Sequence, residues 1–381
     1  MVYFFDKTMC QIFSQRDMSE SEICFFVDMA SAHRLGQCYL CGDIESLKFF
    51  TKNLNYPTKN IYGTILAHHA ESRSVMEKVN TVFILTMDID NCFNTLPAIL
   101  RKKGKSQIIY LEHAMKWKLS FECCLLAENL EDCEFLTLIS RQKYNSLLKG
   151  IDIKFHCENG GGTTTADVFR KCVVQDKIPT LCVTDSDQKF EATREYPQVP
   201  PKGETFNKVC KFMKTIENLD NPPNCFFPLE VHEVENLIPL CILIEMQGKY
   251  HNMADGVRTL LSLRNINNGN PILFYDFKKG FPFIDKEPKR VYWQEILNLL
   301  GVTDFIIPPS KEKLAELSSN VDVPPIPFPG LHCNALLRSA NSWLKNNLKK
   351  DLVLDKYLQV HWDNIADTIF TWGCVSVPMY S

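Results

Sequence analysis

The sequence predicts an α/β protein whose central part is a mostly parallel β-sheet. Between residues 120 and 250, short apolar runs of strand length alternate with segments of helical periodicity. This order is typical of β-α-β units, in which right-handed crossovers keep the strands parallel. Acidic residues directly follow two of the apolar runs. In such folds the functional groups lie at the carboxyl ends of the strands, so these acids are the first candidates for a site.

Composition narrows the function classes. The chain has 381 residues, enough for two or three domains, with 45% hydrophobic and 23% charged residues. A formal net charge of −3 argues against a uniformly basic surface, so any contact with nucleic acid must come from local basic patches. Many of the 16 cysteines lie in apolar runs, which indicates buried, reduced thiols. We find no signal peptide and no apolar run of membrane-spanning length, so we expect a cytoplasmic protein without membrane association.

Three regions are predicted, and the first is an α/β region of unknown role over residues 1–115. Within it, the runs at 81–87 and 107–111 predict short buried strands. Residues 96–103, closed by Gly104, predict a helix between the two strands.

The second region, residues 116–250, carries the alternating pattern, and the third, residues 251–381, is expected to be mainly helical. The predicted strands of the second region are 123–127, 151–157, 179–184 and 225–231, and its predicted helices are 131–141, 165–175 and 206–216. In the third region we expect one strand at 271–275, a proline-rich link over 306–330 and two amphipathic helices within 333–372.

The strongest site signal is Asp185-Ser186-Asp187, directly after the predicted strand 179–184. Alternate residues of an extended segment point to the same side, so the two aspartates can face one ion. Mg²⁺ prefers hard oxygen ligands and usually binds one or two carboxylates together with waters and phosphate oxygens. Lys189 follows closely and is the cation best placed to neutralise a phosphate. A surface turn with two aspartates is the alternative.

A second acidic group lies where the predicted strand 123–127 ends and a helix begins. Glu128 follows the strand, and Asp132 lies four residues later, within reach of the same pocket from the first helical turn. The alternative for Glu131 and Asp132 is a favourable interaction with the helix N-terminal dipole.

Two further motifs flank these acids. Glu233 and Glu235 share a face at a predicted strand-to-helix junction, where capping of the next helix by Asn236 is the alternative. Glycines 160–162 follow the predicted strand 151–157 and permit close backbone approach, either to a phosphate or within a tight turn.

A competing motif occurs earlier in the chain. Asp88 and Asp90 also follow an apolar run, at residues 82–85. They lack a convincing strand-end glutamate upstream, because Glu45 is the nearest candidate and stands alone. The later aspartate pair is therefore the preferred metal motif.

Residues 120–240 together resemble a Toprim domain, the fold shared by topoisomerases, bacterial primases and OLD-type nucleases. Glu128 matches the catalytic glutamate of the family, and Asp185 and Asp187 match its DxD motif. Asp132, the glycine triplet and Glu235 are similar to the OLD-like branch. Asn129 departs from the family pattern, which has a glycine after the catalytic glutamate.

The resemblance implies a metal-dependent endonuclease that hydrolyses phosphodiester bonds with Mg²⁺, or alternatively Mn²⁺. Glu128 and Asp185 would hold one ion and activate water, and Asp187 and Lys189 would complete the catalytic set. A second ion would lie near Asp132, Asp187 and Glu235, with Glu233 as a further ligand. OLD-like relatives commonly carry an ATPase domain. Since this chain has no ATPase motif, the resemblance implies a separate ATPase partner and a role in antiphage defence.

Several alternatives stay open at this level. The substrate is DNA or RNA, tRNA included, and a homo-oligomer is compatible with the sequence. A primase-like or topoisomerase-like enzyme would need a zinc module or an active tyrosine, and neither can be placed in the sequence. From another class, a degenerate Toprim module would bind partners without catalysis.

Overall fold

The computed structural model describes residues 1–102, 104–144, 149–191, 202–216, 220–281, 284–303, 305–318, 328–333 and 335–379. The chain forms two compact units. Unit 1 comprises residues 1–182, 209–227 and 363–381, and unit 2 comprises residues 183–208 and 228–362. Among the described residues, no helix combines the length and the apolar character that a membrane span requires.

The first sheet of unit 1 is parallel throughout. Its part of the chain contains β1 (Val2–Phe5), α1 (Thr8–Phe13), α2 (Glu20–Leu35), β2 (Tyr39–Gly42), α3 (Ile44–Asn53), α4 (Thr58–Ala67), α5 (His69–Lys78), β3 (Val82–Thr86), α6 (Ile89–Thr95), β4 (Ser106–Tyr110) and α7 (Leu111–Ala114). The strand order is β2-β1-β3-β4. Strands β1, β2 and β3 are buried along their whole length, as expected for a parallel sheet covered on both faces.

The predicted strands at 81–87 and 107–111 are confirmed as β3 and β4, but the predicted helix at 96–103 is wrong. The helix in this segment is α6, which lies earlier. Asp88 starts it, because its carboxylate accepts a hydrogen bond from the Asn91 backbone N–H. The helix ends at Thr95, because Leu96 precedes Pro97, a position that disfavours helical backbone, and is extended.

The second sheet of unit 1 has the order β7-β5-β8-β9. Its part of the chain contains β5 (Cys124–Ala127), α8 (Leu130–Tyr144), β6 (Ile151–Ile153), β7 (His156–Asn159), α9 (Thr165–Arg170), β8 (Thr180–Thr184), α10 (Glu204–Ile216) and β9 (Asn224–Pro228). Strand β5 pairs in parallel with both β7 and β8. These two sheets confirm the α/β class with parallel strands.

The predicted strand at 151–157 is in fact two strands. Its first part, β6, pairs antiparallel with β10 (Cys374–Ser376), and its second part, β7, pairs with β5. The predicted helix at 165–175 is α9 continued by one π-helical turn, Lys171–Gln175. Helices α9 and α10 cover β5 and β8 through a buried apolar cluster that includes Leu126, Phe169 and Phe212.

Unit 2 is mostly helical after residue 230. It contains a 3₁₀ turn at Val234–Leu237, then α11 (Leu240–Gln247), α12 (Ala254–Leu263), α13 (Glu287–Leu299), α14 (Lys311–Ser318), α15 (Leu336–Asn347) and the start of α16 (Lys356–Gly373). Trp293 is fully buried against the rings of Tyr275, Phe281 and Phe328. Residues 319–327 of the predicted proline-rich link lie outside the described residues.

The predicted strand at 271–275 is wrong, because Asn267–Phe274 form a 3₁₀ segment interrupted by left-handed backbone at Asn268 and Gly269. The carbonyl oxygens of Ile272 and Tyr275 accept hydrogen bonds from the Asn236 side-chain amide instead of from a neighbouring strand. The Leu273 carbonyl accepts from the His232 backbone N–H. Residues 272–275 therefore hold the 231–236 segment in place through three hydrogen bonds.

Candidate functional site

Backbone hydrogen bonds join two of the acidic motifs inside unit 2. The Asp187 N–H donates to the His232 carbonyl at 3.0 Å. The Ser186 N–H and hydroxyl both donate to the Val231 carbonyl. The segment Asp185-Ser186-Asp187, which follows β8, therefore lies beside the segment that leads into Glu233 and Glu235. These two motifs are more than 40 positions apart in the chain, and the fold brings them together.

Asp187 is held in an uncommon conformation. Its φ is +55°, in the left-handed region that aspartate tolerates better than most residues. Its carboxylate lies against Gly203, the residue that precedes α10. The Gly203 N–H donates to the Ser186 carbonyl at 2.9 Å, which holds Gly203 beside the aspartate motif. Backbone strain of this kind is often concentrated at functional sites.

Glu233 and Glu235 share one cation, Lys278. The Lys278 ammonium lies 3.2 Å from Glu233 Oε2 and 3.0 Å from Glu235 Oε1. Burial raises the pKa of Glu233, and the negative charges of Glu235 and Asp276 raise it further, while Lys278 opposes both effects. The two glutamates that the sequence offers as metal ligands thus already have a counter-charge.

His232 is a buried imidazole with no hydrogen-bond partner among the residues that the structure describes. Its side chain is 1% exposed, and its Nε2 lies 3.9 Å from Glu233 Oε1, beyond hydrogen-bond distance. Burial lowers its pKa to about 3, and the charges of Lys189, Lys289 and Lys278 act in the same direction. The ring is therefore neutral near pH 7 and keeps one donor and one acceptor for a ligand or water.

Two of the lysines whose charges act on His232 contact the aromatic core of unit 2. The Trp293 indole N–H donates to the Lys189 carbonyl at 2.9 Å. The Lys289 ammonium lies 3.9 Å from the centroid of the Phe281 ring. Burial lowers the pKa of Lys289 to about 8, and the charge of Lys189 adds to this shift. Lysine charges that act on a buried, unpartnered imidazole provide a setting suited to an anionic group such as phosphate.

Glu128 and Asp132 lie in unit 1, at the carboxyl end of β5 and the start of α8. The Asp132 carboxylate accepts from the Asn129 N–H at 3.0 Å, and the Asn129 side chain accepts from the Asp132 N–H at 3.0 Å. This reciprocal arrangement caps α8. Asp132 thus has a structural task, and a metal-binding role for it stays a prediction. Glu128 is half-buried and directly follows β5.

The glycine triplet packs against the end of β5. The N–H of Gly160 donates to the Ala127 carbonyl at 2.7 Å, and the N–H of Gly161 donates to the Glu128 carbonyl at 3.0 Å. A β-carbon on Gly160 would lie 2.9 Å from the Ala127 carbonyl oxygen. Gly161 and Gly162 have positive φ. A tight turn against the sheet edge therefore accounts for the glycines in this structure.

The competing aspartate motif has a local explanation. Asp88 Oδ1 accepts from the Asn91 backbone N–H, and Asp88 Oδ2 accepts from the Asn91 side-chain amide. Both carboxylate oxygens thus serve the N-terminus of α6. Helix capping accounts for the presence of Asp88 at this position.

Sequence reasoning did not identify His232 or Asp276 as site residues, and it pointed to Lys289 only as part of the basic cluster 286–290, a solvated face or a phosphate contact. The only local signal for His232 was its position directly before Glu233, and Asp276 comes from a segment more than 40 residues later. Within the described ranges, no three His, Cys, Asp or Glu side chains are arranged to hold a metal ion. Comparison with protein-family models, with curated proteins and with solved structures finds no match to this chain.

Proposed function

We propose that the chain is a Mg²⁺-dependent endonuclease that hydrolyses phosphodiester bonds of DNA or RNA. The observation that carries the proposal is the backbone pairing of Ser186 and Asp187 with Val231 and His232. It brings the two acidic segments side by side at the buried, neutral imidazole of His232, whose pKa the charges of three lysines lower further. Carboxylates for a cation and lysines for a phosphate, in one place, are what metal-assisted phosphodiester hydrolysis needs.

The donor set suits Mg²⁺. All candidate ligands are carboxylate oxygens, which this hard ion prefers, and Mg²⁺ needs only one or two of them in addition to waters and phosphate oxygens. Asp185 and Asp187 would hold the ion, with Glu233 and Glu235 on the neighbouring segment. When bound, Mg²⁺ polarises a phosphoryl oxygen and lowers the pKa of a bound water.

The protein groups would act on the nucleic acid itself. Lys189 and Lys289 would pair with the phosphate that is cleaved, since ammonium groups stabilise the negative charge that develops there. The neutral ring of His232 would donate one hydrogen bond and thereby orient a phosphate oxygen or water. Lys278 would limit the repulsion between Glu233 and Glu235 before the ion arrives.

Glu128 enters the proposal through the family resemblance. It directly follows β5 in unit 1, whereas Asp185 lies in unit 2. The resemblance assigns it the role of water-activating base and ligand. A separate ATPase partner, a role in antiphage defence and a cytoplasmic location belong to the same set of implications and have no other support.

A second candidate function is favoured by the ion pairs of Lys278. An ammonium group that bridges Glu233 and Glu235 neutralises carboxylates that a metal would otherwise use. This is the arrangement expected of a degenerate module that binds a partner without catalysis. The metal response of the protein distinguishes the two candidates.

The direct test is cleavage of plasmid DNA, single-stranded DNA and tRNA with Mg²⁺ or Mn²⁺. We expect cleavage by the wild-type chain, and its loss in Asp185→Asn and in Glu128→Ala without unfolding. Asp88→Asn is the matched control, because asparagine also caps a helix and the competing motif should be dispensable. If the wild type neither cleaves any of these substrates nor gains thermal stability from the metal, the partner-binding module is the better description.

A further inference from the structure

A groove in unit 1, remote in sequence from the acids discussed above, has a distinct chemistry. It has a volume of about 430 Å³ and is lined by one face of α2 and by the segment that follows α7. The lining side chains from α2 recur at intervals of four residues, as Glu20, Cys24 and Asp28 on one ridge. Such spacing places them in a row along the helix.

The floor and the far wall of the groove are apolar and polarisable. Phe25 and Met29 of α2 are buried and form the floor, and Met115 and Trp117 line the groove from the opposite segment. Thioethers and aromatic rings make favourable contacts with alkyl chains, and aromatic faces attract cations.

The charge of the groove is negative at both ends. Glu20 and Asp28 line it, and no lysine or arginine of the described part of the chain does. Among the described residues neither carboxylate is in an ion pair. The nearest lysines in the chain are engaged elsewhere, since Lys116 pairs with Glu112 and Lys118 lies over the Phe121 ring. Two carboxylates thus face a groove that supplies no counter-charge.

The separation of the two acids defines the ligand. Eight helical residues at 1.5 Å each place Glu20 and Asp28 about 12 Å apart along α2. Between them lies an apolar floor. We propose that this groove binds a linear aliphatic polyamine, with one terminal ammonium at each carboxylate and the methylene chain over Phe25, Met29 and Trp117. This inference does not depend on the proposed nuclease function.

The experiment uses the full chain and calorimetric titration with spermidine, with 1,8-diaminooctane and with 1,3-diaminopropane. The last compound is too short to reach both acids. We expect the two long amines to bind and the short one to bind at least about tenfold more weakly, since it loses one charged contact and most of the apolar contact. Equal affinity for all three amines would overturn the proposal.

Variants assign the binding to the groove. Glu20→Gln combined with Asp28→Asn should weaken spermidine binding about tenfold or more. The helix is expected to persist, because its capping box is made by Ser19 and Glu22. Asp17→Asn is the control, since Asp17 is exposed, lies just before α2 and does not line the groove. Equal losses in the control and the double variant would show that only net charge matters, against the proposal.

A chemical readout needs no substitution. Cys24 lines the groove and is exposed, and Cys157 and Cys241 are exposed thiols elsewhere in the described chain. Spermidine should slow the alkylation of Cys24 by iodoacetamide, measured by peptide mass mapping, and leave the other two unchanged. Unchanged alkylation of Cys24 at a spermidine concentration that saturates the calorimetric signal would place the ligand outside the groove.

Discussion

Asp187 occupies the space where a side chain on residue 203 would begin. An ideal β-carbon built on Gly203 would lie 1.8 Å from Asp187 Oδ2 and 2.7 Å from Asp187 Cγ. These distances are far below van der Waals contact. The glycine at position 203 is therefore a requirement of the Asp187 carboxylate position, not of the local backbone, because Gly203 does not have a positive φ.

This relationship predicts that Gly203→Ala displaces the Asp187 carboxylate and lowers the proposed nuclease activity by about 100-fold, as misplacement of a catalytic group by about 1 Å can do. The measurement is cleavage rate together with thermal unfolding. Gly63→Ala is the control: it lies in α4, where the nearest atom to a new β-carbon is 3.8 Å away. That variant should keep full activity and gain about 0.5–1 kcal/mol from reduced backbone entropy. Unchanged cleavage by Gly203→Ala would show that the position of Asp187 is not critical.

A second prediction concerns Lys278. The side chains of Glu233 and Glu235 are 21% and 12% exposed, so Lys278→Met leaves two poorly solvated carboxylates without a counter-charge. We expect a loss of about 1–2 kcal/mol of stability in the absence of metal, a modest value because Lys278 itself is half-exposed. Mn²⁺ should then raise the Tm of the variant more than that of the wild type, since both carboxylates become available.

Lys279→Met is the matched control for this test. The Lys279 backbone N–H donates to Asp276, a contact that the substitution keeps, and no ion pair involves the Lys279 side chain among the described residues. Its metal response should equal that of the wild type. If Lys278→Met also responds like the wild type, Glu233 and Glu235 do not hold the ion, and the partner-binding function gains support.

The sequence predicted the strands that precede the candidate site residues better than the contacts that these residues make. Strand β5 is an apolar run and β8 has an apolar centre between two threonines, so the positions of both strands, and of Glu128 and Asp185 after them, could be predicted from the local sequence. The salt bridges of Lys278 could not, because the chain must return from residue 278 to residue 233. The same applies to β6, whose partner β10 begins at Cys374.

The wrong predictions have local and tertiary causes. Residues 271–275 have the composition of a strand, but their carbonyl groups are used by Asn236, which no periodicity reveals. The helix of this segment begins earlier than the predicted range 96–103, because Asp88 caps its N-terminus and Pro97 follows its C-terminal end. Helix boundaries of this kind depend on a single side-chain hydrogen bond.

A third prediction concerns stability and pH at the start of α2. The Glu22 carboxylate accepts from both terminal nitrogens of Arg16 and from the Ser19 N–H. The Arg16 guanidinium lowers the pKa of Glu22 to about 2, from an ordinary value of 4.5. Since the folded pKa is lowered, the stabilisation is complete above pH 4.5 and is lost as the pH falls towards 2.

Arg16→Met should therefore reduce the free energy of unfolding by about 1 kcal/mol at neutral pH, a value limited by the exposure of Arg16. The difference from wild type should shrink below pH 4.5, as measured by urea unfolding across that range. Arg73→Met removes an exposed ion pair with Glu77 and should have almost no effect at either pH. A difference that is constant with pH would assign the loss to the contact of Arg16 with the Phe13 ring.

The last prediction concerns Lys289, whose pKa burial lowers to about 8. The unfolded chain, with the ordinary value of 10.5, binds more protons than the folded chain between pH 8 and 10.5. The contribution of Lys289 to stability therefore rises with pH across this window. Lys289→Met should abolish that rise, whereas Lys249→Met, at an exposed site of unit 2, should leave it intact.

Activity should follow the opposite course, because a phosphate is bound by the charged ammonium. Cleavage by the wild type is expected to decline above about pH 8, as Lys289 loses its proton. Lys289→Arg keeps a positive charge throughout this range, so it should move the decline to higher pH. The pH dependence of kcat/KM reports groups of the free enzyme, which makes it the appropriate measurement. An identical alkaline decline in wild type and Lys289→Arg would mean that another group controls it and that Lys289 does not contact the phosphate.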